Sequence, residues 1–343
     1  MRSSTASRVR WKVEPDRVTH MPLRSGRRLQ VHTGFGLSTH ASITAAIGNT
    51  PLVELTRLRQ ACAGVRIFGK LEGANPGGSI KDRPAQSMIR AAERAGELTR
   101  GKTILEATSG NTGIALAMIG AAHGYAVKLC MPECVSMERR HILQALGAEM
   151  VLTPACEHTD GAIRRAHELL DSAPDNYYMP NQFVNPNSLL AHYETTGPEI
   201  FAQTLGQVDV VVAGMGTTGT LMGLQRFFAE RKPDVRIIGV EPPPGHTIQG
   251  LKNMAESMVP AIYDPAALDE KITIGDDEAF EMTRFLAARE GVFVGMSSGA
   301  AVAGALRIAR DMPGGVVVAI LPDRGDRYLS TTLFRSVCAQ CPP

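Results

Sequence analysis

The side chain best placed to do chemistry is Lys81, which lies between a predicted strand and a predicted helix. The preceding Pro76-Gly77-Gly78 predicts a sharp turn, and Pro84 suits the first turn of a helix, where its missing N–H costs little. The positive end of that helix, together with Arg83, would lower the pKa of the Lys81 amine. An uncharged amine can form a Schiff base with an aldehyde. Considered alone, however, the segment better fits a surface lysine paired with Asp82.

Three loops of small and hydroxyl-bearing residues also precede predicted helices. They are Thr108-Ser109-Gly110-Asn111-Thr112, Gly214-Met-Gly-Thr-Thr-Gly-Thr220 and Gly295-Met-Ser297-Ser-Gly299. Backbone N–H groups of such loops point at an anion, and the helix dipole favours negative charge there. The loops therefore indicate anion sites, although a hydroxyl residue before a helix is by itself usually a helix cap.

The loop 214–220 also fits the Gly-x-Gly-x-x-Gly fingerprint of a dinucleotide site. Glu241 ends the next predicted strand, 22 residues after Gly219, where an acid would bind a ribose hydroxyl. This pattern predicts an NAD(P)-dependent oxidoreductase as the alternative from another class. That function leaves Lys81 and Asn111 without a role.

The elements that position these residues alternate from about Ser42 onward. The predicted strands are Val65–Leu71, Thr103–Glu106, Ala126–Met131, Met150–Thr153, Val208–Ala213, Val235–Val240 and Gly315–Leu321. The predicted helices are Asp82–Gly96, Asn111–Gly124, Met137–Leu146, Asp160–Ser172, Ser188–Leu205, Gly219–Arg231, Asp277–Glu290 and Ser298–Met312. Strands that are apolar throughout, each followed by a helix, predict parallel sheets covered on both faces. Two sets of strands indicate two domains, with a crossover at Pro180–Pro186.

The composition is that of a soluble globular protein. The chain has 343 residues, of which 44% are hydrophobic and 20% charged, and its net charge is +2. No basic block interleaved with aromatics indicates nucleic acid as a partner, and no apolar run reaches the ~20 residues of a membrane helix. The histidines form no metal-ligand cluster. Six scattered cysteines favour a reducing compartment, so we expect a cytoplasmic protein.

Both ends of the chain differ from its body. Residues 1–35 contain seven arginines and one lysine, without the apolar stretch of a secretory signal. We expect a flexible basic arm at 1–41, although a transit peptide or an over-extended translation start also fits. Cys338 and Cys341 form a C-x-x-C that we expect to belong to a frayed tail over 335–343.

The segment Lys70–Met88 resembles the lysine signature of the cysteine synthase / cystathionine β-synthase family, whose members use pyridoxal phosphate (PLP). Further family motifs follow in the family's order: Ile47–Leu52, Thr108–Gly113, Asn181–Phe183, the glycine-rich loop and Ser297–Gly299. The resemblance covers about residues 42–334. The phrases His192–Ile200 and Asp323–Ser330 are similar to the cysteine synthase B branch in particular.

The resemblance implies the α/β architecture of PLP fold type II, like the tryptophan synthase β chain. Two domains with parallel-rich twisted sheets flanked by helices are expected. Residues 42–76 and 186–334 would form the larger, cofactor-phosphate-binding domain, and residues 77–185 a smaller, mobile substrate-loop domain. A homodimer is also implied.

The resemblance assigns roles residue by residue. Lys81 would carry PLP and act as catalytic base, Asn111 would contact the 3′-oxygen of PLP, and Ser297 would bind the pyridine nitrogen. The PLP phosphate would rest on Gly216, Thr217, Thr218, Gly219 and Thr220. The substrate α-carboxylate would be bound by Thr108, Ser109, Gly110, Thr112 and Gln182.

The implied reaction is a β-replacement that forms L-cysteine through an aminoacrylate intermediate. The substrate would be O-acetyl-L-serine or O-phospho-L-serine, with sulfide or another sulfur donor. Lys252 lies where related B-type enzymes place basic residues that discriminate substrates, which makes it a candidate for a phosphate leaving group. Synthesis of cystathionine, cyanoalanine or 2,3-diaminopropionate stays open, as does a non-catalytic binding protein.

Overall fold

The computed structural model describes residues 40–108 and 110–334, and in this part of the chain ten strands form two sheets. The six-stranded sheet has the order β1-β2-β10-β7-β8-β9, in which only the β1–β2 pair is antiparallel. Its strands are β1 (Leu52–Glu54), β2 (Val65–Leu71), β7 (Val210–Gly214), β8 (Arg236–Glu241), β9 (Glu270–Thr273) and β10 (Gly315–Leu321). The four-stranded sheet is parallel throughout, in the order β5-β4-β3-β6. Its strands are β3 (Thr103–Ala107), β4 (Val127–Pro132), β5 (Glu149–Thr153) and β6 (Tyr177–Tyr178).

Helices connect most of these strands, as expected for parallel pairing. They are α1 (Asp82–Ala95), α2 (Asn111–His123), α3 (Met137–Ala145), α4 (His158–Ser172), α5 (Asn187–Ala191), α6 (Gly197–Gln203), α7 (Gly219–Arg231), α8 (Asp276–Phe285) and α9 (Met296–Arg310). The predicted helix Ser188–Leu205 is interrupted by a π-helical turn at His192–Thr196, and α8 continues as a π-helical turn at Leu286–Glu290. Across the described residues, no α-helix is both long enough and apolar enough to cross a membrane.

The core explains why the central strands are apolar at every position. In β10, Val317, Ala319 and Leu321 pack with α9 on one face of the sheet. The alternate residues Val316, Val318 and Ile320 pack with α7 on the other face. Successive side chains of a strand point to opposite faces, so a sheet covered by helices on both sides needs apolar residues throughout.

The seven predicted strands are confirmed, with ends that differ by no more than two residues. The prediction missed β1, β6 and β9, which are three, two and four residues long. These strands lie at sheet edges and are half-exposed, so they lack the apolar run that identifies a buried strand.

The two sheets divide the chain as the predicted domains do. All four strands of the smaller sheet fall within 77–185, and all six of the larger sheet fall within 42–76 and 186–334. Whether the two parts form separate domains that move against each other stays a prediction. Residues 1–39, Ser109 and residues 335–343, including Cys338 and Cys341, lie outside the described residues.

Candidate active site

A cavity of about 660 Å³ is lined by residues that follow strands of both sheets. Ligands of parallel sheets bind outside the carboxyl ends of the strands, which is where this cavity lies. The predicted site residues in its wall are Lys81, Thr108, Gly110, Asn111, Thr112, Gln182, Gly216, Thr217, Thr218, Thr220, Lys252 and Ser297. Gly219 begins α7 just behind the wall. Folding thus brings residues from six separate stretches of the chain together.

Lys81 lies immediately before α1, and its side chain reaches across to the loop that precedes α7. Its Nζ lies 3.5 Å from Thr217 Oγ1. Burial lowers the pKa of this amine to about 8, while the nearby Asp323 carboxylate acts in the opposite direction. About a tenth of the amine is therefore uncharged at pH 7, far more than for an ordinary lysine, and the uncharged form is the one that acts as nucleophile or base.

The prediction that Arg83 lowers the pKa of Lys81 is wrong. The Arg83 guanidinium points away and donates to two carboxylates, with 2.7 Å from Nε to Glu72 Oε2 and 2.7 Å from Nη1 to Glu199 Oε1. Lys70 joins the same network through a 2.6 Å bond to Glu199. Arg83 therefore anchors α1 by a buried ion-pair network, which sequence spacing did not reveal because Glu199 lies 116 residues away.

The first loop, 108–112, follows the end of β3, and α2 begins within it at Asn111, with Gly110 as the N-cap residue. No side chain caps this helix, and the Gly110 N–H donates to Thr108 Oγ1 at 3.2 Å. Thr112 Oγ1 donates to Gln182 Oε1 at 2.6 Å, which leaves the amide hydrogens of Gln182 available to another acceptor. The loop and Gln182 therefore form one polar patch, as their predicted role requires.

Asn111 is held by side chains that the sequence prediction did not include. Its Nδ2 donates to Asp323 Oδ2 at 2.6 Å, and Arg327 donates to its Oδ1. Tyr328 also donates to Asp323 Oδ2 at 2.6 Å. The only sequence signal for this cluster was the family-like phrase Asp323–Ser330, which had been assigned no role.

The second loop, 216–220, has no room for larger side chains. A Cβ on Gly216 would lie 2.5 Å from the Gly250 carbonyl oxygen, and one on Gly219 would lie 2.5 Å from Ser188 Oγ. Thr218 adopts a left-handed φ of 62°, and its Oγ1 is buried without a hydrogen-bond partner. A buried hydroxyl without a partner is costly, so the loop is built to receive a polar group from a ligand.

Comparison with known proteins indicates which ligand this cavity binds. The profile of a family described as pyridoxal-phosphate dependent enzymes matches residues 43–323. The chain belongs to this family. A relative named cysteine synthase B, from Salmonella typhimurium, is 49% identical over 293 residues, which cover 85% of this chain and 96% of the relative. Cysteine synthase B of Escherichia coli is 47% identical over 294 residues, covering 86% and 96%.

Solved structures of the family show the same fold. A cysteine synthase from Entamoeba histolytica is 37% identical, has a TM-score of 0.83, and covers 92% of this chain and 94% of its own. An O-ureido-L-serine synthase is 40% identical, also with a TM-score of 0.83, and covers 89% of this chain and 98% of its own. The expected α/β architecture of PLP fold type II is confirmed.

The residues of the cavity fit the cofactor of this pyridoxal-phosphate family. Lys81 offers a buried amine to an aldehyde, and the unpartnered Thr218 hydroxyl lies in a glycine-lined loop at the start of the 13-residue helix α7. Ser297 is the second residue of α9 and also lines the cavity. An amine, a phosphate cradle and a hydroxyl for a ring nitrogen are thus all present in one cavity.

Glu241, the acid of the dinucleotide alternative, is already engaged elsewhere. Its Oε1 accepts from the Met254 N–H at 2.8 Å, and its Oε2 pairs with Lys271 at 2.7 Å. It is 6% exposed and does not line the cavity. Glu241 is therefore not placed to bind the ribose of a dinucleotide in this cavity.

Two further ionisable side chains lie near the loops, and one of them, Lys252, lines the cavity. Lys252 Nζ lies 4.4 Å from the centre of the Phe183 ring, and burial lowers its pKa. Glu106, which sequence reasoning missed, lies in β3 just before the first loop. Burial raises its pKa to about 8, against hydrogen bonds from the backbone of Ala107, Asn181 and Gln182. The sequence signal for Glu106 was that it is the one charged residue in the otherwise uncharged strand β3.

Proposed function

We propose that the chain forms L-cysteine from O-acetyl-L-serine and sulfide by replacing the β-substituent of the amino acid. The observation that carries this proposal is the placement of the Lys81 amine, with a pKa near 8, 3.5 Å from Thr217 of the glycine-lined loop. The relatives named cysteine synthase, at up to 49% identity, support the choice of reaction.

In this proposal Lys81 would hold the cofactor covalently and act as the base of the reaction. The cofactor, when bound, supplies an electron sink that acidifies the substrate α-carbon. Lys81 Nζ then takes the α-proton, and a base with a pKa near the working pH is the most effective kind. The same amine returns a proton to the α-carbon after the sulfur nucleophile has added.

The remaining roles fall to the loops. Gly216, Thr217, Thr218, Gly219 and Thr220 would bind the cofactor phosphate, and Asn111 its 3′-oxygen. Thr108, Ser109, Gly110, Thr112 and Gln182 would bind the substrate α-carboxylate. Ser297 would bind the pyridine nitrogen through a hydroxyl, which cannot balance a positive charge as a carboxylate would. This choice favours prompt loss of a β-leaving group over a long-lived carbanion.

Lys252 supports a second candidate substrate, O-phospho-L-serine. Its ammonium lies in the cavity wall, where the charge could attract a phosphate leaving group. Turnover of both activated serines should be compared in the wild type and in Lys252→Ala. A selective loss with O-phosphoserine would support this role, whereas equal rates on both substrates in the variant would remove Lys252 from consideration.

The deciding experiment measures the amino-acid product that the purified holoenzyme forms from O-acetylserine and sulfide. Cysteine formation at rates typical of biosynthetic enzymes, above about 1 per second, is expected. A holoenzyme that makes no cysteine, but accepts a carbon or nitrogen nucleophile instead, would contradict the proposal. It would favour one of the related β-replacements.

We also propose a cytoplasmic homodimer. Apolar side chains such as Phe293 and Leu329 are 45% and 56% exposed, and a second copy of the chain could bury them. Light scattering on the purified protein should give twice the chain mass of 36.8 kDa. A monomeric mass at micromolar concentration would contradict the dimer.

A further inference from the structure

Arg139 is a buried cation in the wall of the cavity with no acidic partner. It is the third residue of α3, and only 7% of it is exposed. Among the described residues, no carboxylate lies within ion-pair distance of it. Its Nε is buried and finds no hydrogen-bond partner within residues 40–108 and 110–334. A buried charge is costly unless it is paired, so this arrangement calls for an anion.

The contacts that Arg139 does make are to neutral groups, and they fix its position. Nη1 donates to Gln249 Oε1 at 2.6 Å, and the guanidinium lies 5.3 Å from the centre of the Tyr328 ring. Asp323, which accepts from Tyr328 and Asn111 through Oδ2, forms no ion pair with Arg139 in the described part of the chain.

The unpartnered side of the guanidinium faces the first loop. A Cβ on Gly110 would lie 3.5 Å from Arg139 Nε and 3.6 Å from Cζ. Gly110 is the cap residue of α2, so the N–H groups of the helix start and the guanidinium lie side by side. A guanidinium next to a helix start is a strong combination for binding a carboxylate.

We propose that Arg139 supplies the positive charge of the substrate-carboxylate site and binds the α-carboxylate together with the loop 108–112. This inference rests on the proposed function, which places an amino acid at that loop. Gln249 and Tyr328 would hold the guanidinium in position in the absence of substrate. The bound carboxylate would then provide the partner that Arg139 lacks.

The test compares an acid with its uncharged counterpart on the holoenzyme. L-serine and L-serine methyl ester are titrated into the wild type and Arg139→Gln, and the visible absorption of the bound cofactor is followed. We expect Arg139→Gln to weaken L-serine binding by about tenfold or more and to leave the ester nearly unchanged. The preference for the acid over the ester should therefore shrink, which isolates the carboxylate–arginine pair.

Two further variants guard against a structural explanation. Arg139→Lys keeps the charge and should retain part of the acid preference. Arg140→Gln removes the same charge from the neighbouring position of α3, whose side chain contacts the Glu133 carbonyl instead, and should keep the wild-type preference. If Arg139→Gln does not fold, the binding of L-serine and of its methyl ester is compared in Arg139→Lys instead.

Three outcomes would overturn the inference. The first is an equal loss for acid and ester in Arg139→Gln, which would make Arg139 a packing residue. The second is unchanged L-serine binding with a raised KM for sulfide, which would show that Arg139 binds the sulfur nucleophile and not the substrate carboxylate. The third is a wild type without any preference for the acid. A holoenzyme that makes no cysteine but shows the Arg139-dependent preference would refute the proposed function and leave this inference standing.

Discussion

The two loops that face each other across the cavity differ in how they prepare for an anion. The loop 216–220 is shaped by packing, since Gly216 and Gly219 lie against Gly250 and Ser188. The loop 108–112 has two buried ionisable side chains beside it, Arg139 and Glu106, in addition to the Lys81 amine that the other loop meets at Thr217. A cradle of fixed backbone donors suits a cofactor that stays bound through every turnover. A nearby charge suits a substrate that must bind and leave.

The same contrast extends to the side chains behind each loop. Thr220 Oγ1 lies 3.2 Å from His192 Nε2. Burial keeps the pKa of His192 well below its usual value, so the imidazole that contacts this loop is neutral. Thr112, in the other loop, donates to Gln182, and the Glu106 carboxyl just before that loop accepts from the Ala107 N–H at 3.2 Å. The loop 216–220, proposed for the phosphate, is thus shaped by packing and meets the Lys81 amine at Thr217, whereas the loop 108–112, proposed for the substrate, lies beside the ionisable Arg139 and Glu106.

The largest effect should come from Lys81, which reaches from the start of α1 to the phosphate loop. We expect Lys81→Ala to abolish the absorption band of the lysine imine and to lower turnover by at least about three orders of magnitude. Lys102→Ala, on the turn before β3, is the matched control and should behave as wild type. Normal turnover of Lys81→Ala would refute the assignment of Lys81 as the cofactor-binding lysine and catalytic base.

The charge-dependent character of the substrate loop can be tested through Glu106. Its folded pKa of about 8 lies above the ordinary 4.5, so the folded state keeps a proton that the unfolded state loses. Stability from this group is therefore present at pH 4.5 and is lost toward pH 8, at about 1 kcal/mol per pH unit. Glu106→Gln removes this dependence, so its unfolding free energy relative to wild type should rise from pH 5 to pH 8. The unfolding free energies are measured with urea at each pH. If those of wild type and Glu106→Gln change in parallel with pH, Glu106 is ionised in the folded protein and the prediction is wrong.

The shape-dependent character of the phosphate loop can be tested at Gly216. A Cβ there would lie 2.5 Å from a backbone oxygen, so Gly216→Ala must shift the loop, at a cost of about 1–3 kcal/mol. We expect a corresponding loss of PLP affinity, measured by equilibrium dialysis. Gly275→Ala is the control, because no atom lies within 4 Å of its Cβ position. Unchanged PLP affinity in Gly216→Ala would mean that the loop is not a tight cradle.

The smallest effect, and the most specific, concerns Thr218. Its hydroxyl has no partner among the residues that the structure describes, so Thr218→Val should leave the cofactor-free protein as stable as wild type while weakening PLP binding about tenfold. Thr204→Val provides the opposite case, because the Thr204 hydroxyl donates to the Ile200 carbonyl at 2.8 Å. That variant should lose stability and keep PLP affinity. A stability loss without an affinity loss in Thr218→Val would contradict the phosphate role.

Local sequence patterns were sufficient for the framework of the site. The apolar runs of β7 and β10 and the glycine-rich turns predict strand, loop and helix in order, because each depends on neighbours within a few residues. Lys81 was identified by its place in such a turn, and the ordered family motifs indicated its chemistry. Short edge strands such as β6 carry too little apolar pattern to be predicted in this way.

Only the tertiary structure decided which charges act on which groups. Arg83 was expected to act on Lys81 but is bound to Glu72 and Glu199, whereas Arg139, to which the sequence pointed in no way, faces the substrate loop. The side chain nearest to each charge is set by long-range packing, as in the Arg139–Gln249 contact across 110 residues. The identity of a buried ion's partner is a property of the folded surroundings, because desolvation and distance determine its energy.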